Sequence, residues 1–84
     1  TDVEDLRELG ILVFPNPVRN TLFVNAETFS KELQYKLYSG NGQLLSQGMF
    51  RNRLDLDVSN YASGLYMMQL QNDNQIWLIK LLKQ

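Results

Sequence analysis

The sequence contains no cysteine and no histidine in 84 residues. Without cysteine there is no disulfide, no thiol nucleophile and no thiolate metal site. Without histidine the Ser-His-Asp and Cys-His arrangements are excluded, and Ser30, Ser39, Ser46, Ser59 and Ser63 have no evident base. No signal peptide is recognisable, and no apolar run approaches the length of a membrane-spanning helix. Charge of one sign is also lacking. Eight basic residues against nine acids leave a net charge of −1, with no basic cluster interleaved with aromatics, so nothing points to nucleic acid. Gly40, Gly42 and Gly48 have no following helix and make no phosphate loop. A paired-carboxylate glycosidase needs a cleft that a chain this small scarcely provides. No independent enzyme and no cofactor are expected.

Proline is scarce too, and both copies stand in one place, the stretch "VFPNPVRNTLFV" over residues 13–24. Each proline fixes its φ and lacks a backbone donor, and each pushes Phe14 or Asn16 towards an extended form. Pro15 and Pro17 therefore predict a stiff corner outside any sheet ladder, ending one strand and aiming the next.

What the sequence does hold is short apolar runs. With 44% apolar and 20% charged residues it is globular, and its length allows one small domain with a modest core. The opening "TDVEDLREL" carries four acids against Arg7, with Val3, Leu6 and Leu9 three apart and Gly10 afterwards. One or two helical turns fit that spacing, but isolated helices so short are marginal, and a linker is the expectation. From Ile11 the pattern becomes strand-like, over residues 11–14, 21–25, 33–39, 43–49, 53–58, 65–71 and 75–82. Asn41-Gly42 predicts a hairpin turn, because both residues tolerate positive φ. Seven short strands at regular spacing predict an all-β, antiparallel, immunoglobulin-like β-sandwich.

Alternation assigns faces. Leu33, Tyr35 and Leu37 share one side of the third run, and Leu54, Leu56 and Val58 one side of the fifth. The last run departs from this: Trp77, Ile79 and Leu81 lie on one face and Ile76, Leu78 and Leu82 on the other, broken only by Lys80. Two readings follow. Either it is a central strand buried on both faces, or it is an edge that another protein completes by strand pairing.

Asp55 and Asp57 share a strand face, and Asp73 sits between Asn72 and Asn74. Their oxygens suit calcium, but without EF-hand spacing, and solvated charges or Asx-turns account for the same residues. In "DVSNYASGLY", Asp57, Ser59 and Asn60 are placed to cap a tight turn, with Gly64 supplying a backbone state other residues resist.

These blocks occur in one order: "FPNPV", "YKLYSGNGQLLSQG", "LDVSNYASGLYMMQL" and "IKLLKQ". Together they resemble the C-terminal sorting domain of type IX (Por) secretion cargo proteins of Bacteroidota, from about Leu12 to Gln84. By position, Pro15-Asn16-Pro17 match that family's corner, Gly42 and Gly48 its hairpin, Asp57, Ser59, Gly64 and Tyr66 its turn block, and Lys80 and Lys83 its Lys-x-x-Lys ending. Tyr61, Ser39 and Gln84 depart from the usual residues.

The resemblance implies a linker over residues 1–10 from an upstream cargo domain, and a sorting domain over residues 11–84. The chain is accordingly expected to be part of a larger protein, exported through the periplasm to the outer membrane, cell surface or medium. The implied partners are the outer-membrane translocon, a shuttle protein and a sortase-like peptidase that usually removes the domain. Ile76, Trp77, Ile79, Lys80, Leu82 and Lys83 are the expected recognition strand. Isolated, that strand is expected to give a homodimer by edge pairing or strand swapping. The rival expectation is an uncleaved structural or carbohydrate-binding sandwich. A carbohydrate-binding module would show an exposed aromatic platform, whereas Trp77 is the single tryptophan and lies in the recognition strand.

Overall fold

A computed structural model describes residues 3–29 and 31–84. Thr1 and Asp2 of the acidic opening, and Ser30, lie outside the described residues. Among the described residues the order is α1 (Val3–Glu8), β1 (Leu12–Phe14), β2 (Thr21–Asn25), β3 (Leu33–Ser39), β4 (Leu44–Phe50), β5 (Arg53–Asp57), β6 (Gly64–Gln71) and β7 (Ile76–Lys83). The strands form two antiparallel sheets, β1-β2-β5 and β4-β3-β6-β7, as a sandwich of the expected class. Their boundaries fall within a residue or so of those predicted.

The core lies between the sheets and follows the period-two pattern. Leu22 and Val24 of β2 meet Leu33, Tyr35 and Leu37 of β3, Met68 and Leu70 of β6, and Trp77, Ile79 and Leu81 of β7 in one cluster. Tyr66 donates its hydroxyl to the Ala62 carbonyl at 2.5 Å and stacks on Tyr61 with ring centroids 5.8 Å apart. A tyrosine tied back to the corner before its own strand is a feature of immunoglobulin-like sandwiches.

One local expectation is corrected and another is narrowed. The opening segment is helical over Val3–Glu8 instead of an unstructured linker, because Leu6 is buried in the core cluster and supplies the burial that a lone short helix lacks. Gly10 ends it at φ +87°, where an added Cβ would collide with the Thr28 side chain. The β3–β4 turn has the three-residue length that the predicted strand bounds leave, but only one of its two turn residues takes positive φ. Gly42 has positive φ and Asn41 does not, and the Ser39 N–H donates to the Gln43 carbonyl across a three-residue loop. The Ser39 hydroxyl bonds the Asn41 side chain, a local bond that holds Asn41 within the turn.

Candidate functional site

Strand β7 is the outermost strand of its sheet, paired on one side with β6 from Gly64↔Lys83 to Gln71↔Ile76. The expectation of a central strand is therefore corrected. Hydrophobic periodicity shows which side chains share a face, but it does not say which strands flank a run. The inner face is Trp77, Ile79 and Leu81, all buried, with Phe29 edge-on to Trp77 at 6.1 Å. The outer face leaves Ile76 54%, Leu78 50% and Leu82 41% exposed, with Lys80 between them.

Lys80 and Lys83 do not form one basic surface. Three residues apart on a strand they point to opposite faces, and Lys83 is 7% exposed. Its stem lies beside Val18, Tyr66 and Leu81, and its Nζ donates to the Gln84 carbonyl at 2.8 Å. Of the six residues expected to mark this strand, Ile76, Lys80 and Leu82 face solvent, while Trp77, Ile79 and Lys83 face inward.

The proline corner sits on the free edge of β7. Asn16 Nδ2 donates to the Lys80 carbonyl at 3.0 Å, and the Leu82 N–H donates to Asn16 Oδ1 at 3.0 Å. Two residues on, the Val18 N–H donates to the Leu82 carbonyl at 2.8 Å, and the Gln84 N–H donates to the Val18 carbonyl at 2.9 Å. Val18 thereby forms a single parallel bridge with Lys83, so the corner that cannot join a ladder at its prolines does so just beyond them. Both X-Pro bonds, Phe14–Pro15 and Asn16–Pro17, are cis.

The turn block converges on the same end of the sandwich. Asp57 Oδ1 accepts from the Ser59 hydroxyl at 2.6 Å and the Ser59 N–H at 2.9 Å. The hydroxyl first and the N–H second hold the exposed Asp57 carboxyl below its ordinary value. The Val58 N–H donates to the Asn20 carbonyl, and Gly64 and Tyr66 pair with Lys83 and Leu81. Asp55 lies 3.9 Å from Arg53, and Asp73 sits in the β6–β7 turn, where Asn72 Oδ1 accepts from the N–H groups of Asn74 and Gln75. The β3–β4 turn with Gly42 lies at this same end, since Ser39 pairs with Tyr66 at the start of β6, whereas Gly48 lies within β4, at the opposite edge of the sheet. Gly48 faces Tyr35, whose ring stands 3.0 Å from where a Cβ would be.

Sequence reasoning missed the groove beside β7. Leu6, Arg7, Ile11, Leu12, Phe14 and Ile79 border a largely apolar space of about 290 Å³ between β1 and β7. Its signal was the run "ILVF", whose alternate residues Leu12 and Phe14 stay exposed.

These blocks and their order accord with the comparison of the chain with protein families. The family model of the secretion system C-terminal sorting domain matches residues 12–84. The chain belongs to that family. Such a sorting domain is a type IX secretion signal, engages that secretion machinery and directs export to the cell surface or extracellular space. The sorting-domain family is not catalytic. No curated protein matches the chain.

Proposed function

We propose that the secretion machinery recognises this sorting domain at β7, where an outer-membrane shuttle protein collects the cargo and a sortase-like peptidase then removes the domain. The observation that carries this reading is an edge strand with Ile76, Leu78, Lys80 and Leu82 exposed along it. Proteins normally blunt such an edge, so one left open and apolar is a docking feature. The division into a segment over residues 1–10 and a sorting domain over residues 11–84 belongs to the same proposal, with cleavage falling in or before the acidic segment. Pro15, Asn16, Pro17, Asp57, Ser59, Gly64 and Tyr66 act by building and holding the β7 end, and Gly42 and Gly48 by shaping the hairpin.

The test is a periplasm-targeted reporter carrying this chain at its C-terminus, compared with the same fusion lacking residues 75–84. Retention of the shortened form in the periplasm is the expected result; normal surface delivery would overturn the proposal. An uncleaved surface module would instead remain attached to the delivered reporter.

A further inference from the structure

The outer edge of β7 is a row of backbone groups, part occupied and part open. In an antiparallel strand alternate residues turn both N–H and C=O to the same side. Leu82 points outward, since its N–H and C=O bond Asn16 and Val18, so Ile76, Leu78 and Lys80 point outward as well. Only the Lys80 carbonyl and the residues after it are held; the Ile76 and Leu78 groups and the Lys80 N–H have no bond from a described residue. The two holders differ. Val18 is 2% exposed and packed in the core, so removing it would empty a core position. Asn16 is exposed and touches the strand through its carboxamide, which water can replace.

We propose that Asn16 is a placeholder: in the free chain its carboxamide occupies the seat that a strand of the secretion machinery takes, so that β7 offers a docking edge over residues 76–82 with Val18 as a permanent stop. A carboxamide is a peptide group in miniature. Donating to the Lys80 carbonyl and accepting from the Leu82 N–H, it makes the pair of bonds that a neighbouring strand makes, so the occupant that fits is main chain in extended form. The guest is a segment of about six or seven residues at roughly 3.3 Å each. Its alternate apolar side chains lie over the groove of Ile11, Leu12, Phe14 and Ile79. Arg7 in that groove and the exposed Lys80 disfavour a basic guest.

This rests on the reading that the machinery recognises β7, and the experiment separates the two. In the free chain, Asn16→Ala should speed hydrogen exchange of the Leu82 amide by about tenfold and leave that of Gln84 within about threefold. An unchanged Leu82 amide, or an equal rise at Gln84, overturns the placeholder. In the reporter fusion, Ile76→Pro and Leu78→Pro each remove an outward donor without touching the β6 ladder. Proline is tolerated at such positions, at the first residue of a strand and on an edge.

Either variant, if its Ile79 and Leu81 amides stay protected, should lower export by about tenfold or more, because the guest strand loses a bond and meets a ring. Parental export from a folded variant overturns edge docking, while failure of the 75–84 deletion to block export overturns the wider reading. Loss of self-association in the proline variants with export intact would assign the edge to a second copy, and also overturns the proposal.

Discussion

At the scale of single residues, charge and space make separate predictions. Asp57 is held low by Ser59, so its folded value lies below its unfolded one. Its contribution is complete above the ordinary carboxylate value and is lost as pH falls through the folded value. Asp57→Asn should therefore lower the melting temperature near neutrality, where the carboxylate contributes fully, and flatten the acid limb, so that variant and parent converge below about pH 4. Melting curves from acid to neutral pH read this directly, and an unchanged acid limb would show that Ser59 does not stabilise the carboxylate. Gly48 is a matter of space. A methyl group there meets the Tyr35 ring, whose hydroxyl lies 3.1 Å from the Ser46 hydroxyl and whose face leans on Phe50, so the ring is not free to retreat. Gly48→Ala should cost about 1–3 kcal/mol in urea unfolding. The sequence marks this glycine by its place in a motif, but its physical reason is the register Tyr35↔Gly48, which no local pattern contains.

At the scale of elements, β7 predicts an alternating response to substitution. Trp77→Ala should cost about 3–5 kcal/mol, because it leaves a large hole against Phe29. Leu78→Ala, next in sequence and half exposed, should stay within about 0.5 kcal/mol. Equal losses at both positions would mean that the outer face is covered in the free chain. Most elements were legible in the sequence: the alternation of Leu33, Tyr35 and Leu37 and of Leu54 and Leu56 assigns faces that the burial confirms. The order of strands was not, since pairing depends on contacts such as Asn16 with Lys80, 64 residues apart. The same gap hid the helix: Leu6 is an ordinary residue of an acidic segment until the core that receives it is known. At the site, the tripeptide Pro15-Asn16-Pro17 stood out, whereas the job of Asn16 did not, because a side chain standing in for a strand has no periodicity.

At the scale of the whole molecule, the sandwich is open on one side, where β1 and β7 flank the apolar groove. Copies of the isolated chain should pair there when no machinery competes, giving dimers in sedimentation near millimolar concentration that dissociate on dilution. A monomer throughout would show the edge to be too short for self-pairing. The burial pattern of β7 also bears on timing. Its inner face supplies Trp77, Ile79 and Leu81 to the core, and burying three such side chains is worth about 5–9 kcal/mol. That rivals the entire net stability of a small domain. A polypeptide broken off before Trp77 thus lacks the strand we propose as the recognition element and also the means to fold the remainder. If one strand has both duties, a ribosome's unfinished product carries no passport: on this proposal the address becomes legible only when synthesis has passed β7 and the core has closed behind it.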